Sequence, residues 1–150
     1  MEERRNIPGV PDYTVEMLAE KRSDYCLLIP IINEGGRILK ELDRAKAAGV
    51  CGLVDIIPCD GGSTDGSMEL PGLKSRGVNC LLTKTGPGKQ GAQLRMGLHF
   101  ALERGYEGIL TIDGNNKDSI ESVPLFIEKL SEGYDLVQGS RFVKGGKAVN

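Results

Sequence analysis

Asp60, Lys89 and Asp113 are the residues of this sequence best placed to do chemistry on a phosphorylated ligand. Asp60 stands in Cys59-Asp60-Gly61-Gly62-Ser63-Thr64-Asp65-Gly66, where an acid is followed by glycines that let a base or ribose approach the backbone. Lys89 stands in Lys84-Thr85-Gly86-Pro87-Gly88-Lys89-Gln90-Gly91, a glycine-rich loop feeding a helix start. Backbone N–H groups and a lysine hold diphosphates in such settings. Asp113 opens Asp113-Gly114-Asn115-Asn116-Lys117-Asp118, and Asp113, Asn115 and Asp118 offer the hard oxygen ligands that suit Mg2+ or Mn2+. A fourth segment, Ile29-Pro30-Ile31-Ile32-Asn33-Glu34-Gly35, adds hydrogen-bonding side chains at Asn33 and Glu34. Pro30, which lacks an N–H, is expected to end the strand before them. Each segment also has a plainer reading: a helix cap with an acidic first turn, a bare turn, a surface loop, or a turn capped by Asp118 or Ser119. None has the spacing of a dinucleotide fingerprint or a Walker loop.

Elements that could gather these segments follow from the apolar pattern. Runs apolar throughout, at Tyr25–Ile29, Leu53–Cys59, Val78–Thr83, Gly108–Ile112 and Leu136–Gln138, suit strands buried on both faces. Between them Ile38, Leu39, Leu42 and Ala45 space one helix face, Leu94, Leu98, Ala101 and Leu102 a second, and Val123, Phe126, Ile127 and Leu130 a third. Gly49, Gly105 and Gly133 fall just past these helices, and the helical signal between Gly66 and Gly77 is weak. The alternation implies an α/β fold with a doubly wound, mostly parallel sheet flanked by helices. Ligands of such sheets bind beyond the carboxyl ends of the strands, where all the polar segments lie. Asp60, Lys89 and Asp113 are therefore expected to converge on one crevice. Before the first run, Thr14 to Lys21 reads as a short helix.

The 150 residues suit one domain, with 39% hydrophobic and 27% charged residues. A formal net charge of -2 gives no basic footprint for nucleic acid. The longest apolar run, Cys26–Ile32, is too short to span a bilayer, and no charged-then-apolar leader follows Met1. A cytoplasmic location is the expectation. Cys26, Cys51, Cys59 and Cys80 are spaced too widely for a structural zinc site and read as small hydrophobes in a reducing compartment.

Taken in order, these segments resemble the family 2 glycosyltransferases of the Rossmann-like GT-A fold, from about Asp24 to Gly146. The residues that carry the resemblance are Pro30-Ile31-Ile32-Asn33-Glu34, Asp60-Gly61-Gly62-Ser63-Thr64-Asp65-Gly66, Gly88-Lys89-Gln90-Gly91-Ala92 and Gly139-Ser140-Arg141. The resemblance implies an N-terminal extension over residues 1–23 and a nucleotide-sugar-binding domain over 24–150, ending before the acceptor region. It implies that Pro30, Ile31, Asn33, Glu34, Asp60 and Gly62 hold base and ribose, and that Lys89, with Arg95 nearby, meets phosphate. It implies that Asp113 begins the family's Asp-x-Asp, whose divalent ion bridges the two phosphates. Two positions depart from the pattern: Gly61 replaces the second acid of the family's paired Asp, and Asn115 the last acid of Asp-x-Asp.

The activity so implied is transfer of a hexose, with inversion, from a UDP- or GDP-type sugar to an acceptor, with Mg2+ or Mn2+ as cofactor. The acceptor class compatible with it is lipid-linked, at a membrane surface. The alternative is a shortened, non-catalytic nucleotide-sugar-binding or protein-interaction module, for which self-association through an apolar surface is expected. Binding without sugar transfer separates the two. A nucleotidyltransferase is disfavoured, because Pro30–Glu34 contains neither arginine nor paired glycines. The catalytic base is not legible.

Overall fold

The structure, a computed structural model, describes residues 2–4, 9–114, 120–131, 136–138, 142–143 and 147–148. Its strands are β1 (Glu2–Arg4), β2 (Tyr13–Met17), β3 (Tyr25–Ile31), β4 (Asp55–Asp60), β5 (Cys80–Lys84), β6 (Gly108–Thr111) and β7 (Leu136–Gln138), with a separate pair, β8 (Phe142–Val143) and β9 (Lys147–Ala148). The helices are α1 (Gly36–Ala47), α2 (Leu70–Ser75), α3 (Gln90–Glu103) and α4 (Val123–Ser131). The main sheet has the order β1-β2-β5-β4-β3-β6-β7. From β5 to β7 all neighbours are parallel, and β2 and β1 continue the sheet antiparallel at one edge.

Alternate residues of the central strands feed two cores. Leu27, Ile29 and Ile31 of β3 meet Ile38, Leu42 and Ala45 of α1, together with Leu73, Val123 and Phe126. Cys26 and Leu28 of β3, with Ile57 and Cys59 of β4, meet Met96, Phe100 and Ala101 of α3 on the other face. Ile38, Leu42 and Ala45 recur at helical spacing and are wholly buried. Each large aliphatic side chain so placed contributes about 1.5–3 kcal/mol. Helices on both faces and a reversal of strand order beside β3 give the doubly wound architecture expected. Gly49 and Gly105 take φ of 76° and 79° beyond α1 and α3, and Gly133 lies outside the described residues.

Three expectations are corrected. The buried face of α3 runs through Ala92, Gln93, Met96, Gly97, Phe100 and Ala101, whereas Leu102, expected on that face, is 69% exposed. Thr14–Lys21 is not a helix: Tyr13 to Met17 pair antiparallel with Lys84 to Cys80. Tyr13 and Val15 point inward and are buried, while Met17 is 43% exposed. Aromatic and β-branched residues in period two suit the pleat, and their ladder satisfies the otherwise open edge of β5. Nor does Pro30 end β3. The ladder to β6 stops at Leu28, whereas pairing with β4 continues to Ile31 and Asp60. A residue without an N–H is tolerated once one neighbour has departed. That departure opens the sheet between β3 and β6.

Candidate active site

A cavity of about 430 Å3 lies at the carboxyl rim of the parallel strands. Its lining draws on four adjacent strands in turn: Lys84 from β5, Gly61 after β4, Pro30 and Ile31 of β3, and Asp113 and Gly114 after β6. Glu34, Lys89, Gln90 and Gln93 complete its polar wall. A cavity of a few hundred cubic ångströms is the size that holds a small organic ligand.

Lys89 and Asp113 share this cavity. Lys89 is exposed at the residue before α3. The preceding Gly88 has φ of 117°, and a Cβ there would collide with that of Ala92. Glycine is thus needed on two counts for the loop to fold down on the first helical turn. Asp113, two residues past β6, accepts a hydrogen bond from Gln90 Nε2 to its Oδ1 at 3.1 Å. Glu34 pairs with Arg37 at 3.2 Å while lining the cavity. Arg95 turns elsewhere, its Nε donating to the Gly9 carbonyl.

Asp60 is set differently. It lines the adjoining groove with Ser63, Thr64 and Thr83, not the cavity that Lys89 and Asp113 share. Asp60 is buried, and its carboxylate accepts the Ser63 N–H at 3.0 Å and the Ser63 hydroxyl at 2.6 Å. An aspartate that clamps its own loop in this way is turned inward by local geometry. Ser63 Oγ in turn accepts the N–H of Asn33 at 2.9 Å, and Asn33 Oδ1 accepts the Thr64 N–H at 2.8 Å. Asn33 has φ of 49°, a conformation asparagine tolerates better than most residues. Gly62, with φ of 107°, shapes the turn between. Further on, Asp65 accepts the hydroxyl of Ser67 at 2.6 Å and its N–H at 3.0 Å, bonds that hold its carboxyl below the ordinary value.

For a divalent ion, Asp113 is the carboxylate that reaches the cavity from the β6 side. Asn115 and Asp118, the other expected ligands, lie outside the described residues. Among the described residues no three His, Cys, Asp or Glu side chains gather into a metal cluster. One carboxylate beside a phosphate-sized space still fits Mg2+, which is commonly held by one or two carboxylates and the substrate's own phosphates.

Lys84, Gln90 and Gln93 were not singled out from sequence. Lys84 Nζ donates to the Gly86 carbonyl at 2.8 Å and so bends the loop over the cavity. Gln93 had a visible signal. With Met96, Gly97 and Phe100 it lies on the buried stripe of α3, and an amide among apolar residues is an informative exception. Its Nε2 donates to the carbonyls of Ile31 at 2.6 Å and Cys59 at 2.9 Å, bridging β3 and β4 where they reach the rim.

No helix among the described residues is long and apolar enough to cross a membrane. No family model and no solved structure matches the chain. Curated proteins do. Glycosyltransferase AglJ of Haloferax volcanii is 30% identical over 78% of this chain and 36% of its own. An undecaprenyl-phosphate mannosyltransferase of Micrococcus luteus is 32% identical over 82% of this chain and 50% of its own. A polyprenol monophosphomannose synthase of Mycolicibacterium smegmatis is 28% identical over 83% and 47%. The chain thus spans half or less of the length of these relatives. Along about four-fifths of its residues the chain is similar to glycosyltransferases, and its Rossmann-like sheet opens between β3 and β6.

Proposed function

We propose that this chain holds the nucleoside-diphosphate sugar of a glycosyl transfer, with the diphosphate between Lys89 and Asp113. The observation that carries the reading is that these two side chains, of opposite charge, line one cavity at the carboxyl rim of the parallel strands. Lys89 and the N–H groups at the start of α3 supply positive potential for phosphate oxygens. Pro30, Ile31 and Glu34 wall the nucleoside, while Asn33, Asp60 and Gly62 fix the loops around it. Asp113, with Asn115 and Asp118, is the proposed Mg2+ or Mn2+ site. Such an ion, when bound, offsets the charge that develops on the departing nucleoside diphosphate. The bond broken joins the sugar's anomeric carbon to the diphosphate, and the bond formed joins that carbon to an acceptor oxygen. Two relatives carry undecaprenyl phosphate and polyprenol in their names. A lipid-linked phosphate at a membrane surface is accordingly the acceptor class proposed.

A thermal-shift panel of UDP, GDP, CDP and dTDP, with and without Mn2+, tests the donor site. A native-state ligand at one hundred times its Kd stabilises by about 2.7 kcal/mol. Absence of a shift with every nucleotide removes the reading. Incubation of the full-length protein with labelled nucleoside-diphosphate hexoses and a polyprenyl phosphate tests the transfer itself.

A further inference from the structure

Gly61 stands where the family pattern has an acid, and its surroundings show what occupies that space. A Cβ on Gly61 would lie 3.1 Å from Cδ of Gln93 and 3.2 Å from both its Nε2 and Oε1. The flat face of the Gln93 amide therefore covers Gly61, and glycine is what admits it.

The orientation of this amide is fixed. Two carbonyls, from Ile31 and Cys59, lie within 2.6 and 2.9 Å of Nε2. Only an NH2 group can face two acceptors, so Oε1 must point the other way. Gln93 is 4% exposed and lines the cavity, and Oε1 has no partner among the described residues. Oε1 opens on the cavity rather than being sealed in the core, and an acceptor on a cavity wall is where a ligand can supply a donor.

Position along the rim says which part of a ligand meets it. Gln93 sits beneath β3 and β4, whereas Asp113 follows β6; Lys84 at the far side ends β5. From β5 to β6 is three interstrand spacings, about 14 Å, enough for a nucleoside and its diphosphate laid across the strand ends. With phosphate at Asp113 and Lys89, the base falls near Gly61 and Gln93.

We propose that Gln93 Oε1 is the acceptor that selects the donor's base, favouring bases with a ring N–H: uracil, thymine or guanine. This rests on the donor-site reading above. Cytosine would turn the lone pair of its ring nitrogen toward the same oxygen, and adenine would do likewise. In this chain the selecting group comes from α3, through the gap that Gly61 leaves.

Affinities of UDP, GDP, CDP and N3-methyl-UDP, each with Mn2+, are measured on the wild type, Gln93→Leu and Gly61→Ala. The wild type is expected to hold UDP or GDP about tenfold more tightly than CDP and N3-methyl-UDP, the cost of one unpaired acceptor. Gln93→Leu is expected to bring those ratios near one and to leave affinity for Mn2+-pyrophosphate unchanged. Because Gln93 also joins two strands, Gly61→Ala serves as the milder change. Its methyl displaces the amide by tenths of an ångström, keeps both carbonyl bonds, and is expected to cut the ratios several-fold. If a ring N–H preference persists in both variants, or the wild type binds N3-methyl-UDP as tightly as UDP, the proposal is overturned. If the wild type binds no nucleotide at all, the donor-site reading itself fails.

Discussion

Asn33 Oδ1 accepts the backbone N–H of Thr64 at 2.8 Å, and the N–H of Asn33 returns the contact to Ser63 Oγ at 2.9 Å. Ser63 donates its own hydroxyl to Asp60, so the loops after β3 and β4 are tied together. Asn33→Gly retains the left-handed backbone and deletes the acceptor, while Asn33→Asp retains both. As the bond is exposed, Asn33→Gly is expected to cost no more than about 1 kcal/mol in urea unfolding. Nucleotide affinity is expected to fall several-fold in Asn33→Gly and little in Asn33→Asp. Equal affinity in all three proteins would detach this clamp from the site.

Asp113→Asn keeps the size of the side chain and its acceptor for Gln90, and removes the charge. The Mn2+-dependent part of any nucleotide thermal shift is expected to vanish, with the Mn2+-independent part retained. A shift unchanged by the substitution would take Asp113 out of the metal site.

Lys89 acts as an exposed point charge, so Lys89→Ala should weaken nucleoside diphosphates up to about tenfold and nucleosides not at all. The difference should shrink as ionic strength rises from about 0.05 to 0.5 M. Equal loss for nucleoside and diphosphate would place Lys89 away from phosphate.

Burial pushes the thiols of Cys26 and Cys59 up, and that of Cys80 up to about 12. Cys51 is raised too, again by burial, but is half-buried and has Arg22 and Lys46 near it. At pH 8 the native protein should expose one slowly reacting thiol to a disulfide reagent, and four after denaturation. Cys51→Ser should remove the native signal. Several thiols reacting together in the native state would contradict the packing of α3 on β3, β4 and β5.

At the opposite end of β4, buried Asp55 accepts the hydroxyl of Tyr106 at 2.7 Å and the N–H groups of Arg22 and Ser23. Burial, and then the bond to Asp55, raises the Tyr106 phenol above its ordinary value. The unfolded chain then loses this proton before the native one does. The stabilisation is whole below about pH 10 and is lost as pH rises above it. Tyr106→Phe should lower stability at neutral pH and flatten the alkaline limb of a stability–pH curve. An alkaline limb as steep as that of the wild type would shift the effect to other groups.

The parallel strands and their helices were legible because each strand is apolar on both faces and each helix carries a stripe, as at Ile38, Leu42 and Ala45. The strand Tyr13–Met17 is not legible because the chain beyond it, through Leu18 and Ala19, also fits a helical stripe, and five residues cannot settle the period. Only the open edge of β5 decides it. The loops bearing Lys89 and Asp113 were readable from type and position at strand ends. The inward turn of Asp60 was not, since it depends on Ser63 folding back. The signal at Gln93 is masked because the leucines at 94, 98 and 102 suggest a different buried stripe for its helix, and the carbonyls it joins lie 62 and 34 residues away.

The antiparallel strand β2 reaches beyond the sheet. Just before it, the Asp12 carbonyl accepts the N–H groups of Thr85 and Gly86 at 2.8 and 3.0 Å, so the glycine-rich loop is anchored from the start of the chain. Ordering a free backbone costs about 1–2 kcal/mol per residue, a sum this loop has largely settled during folding and not on meeting a ligand. Changes in residues 9–12, which do not line the cavity, would then alter affinity through preorganisation.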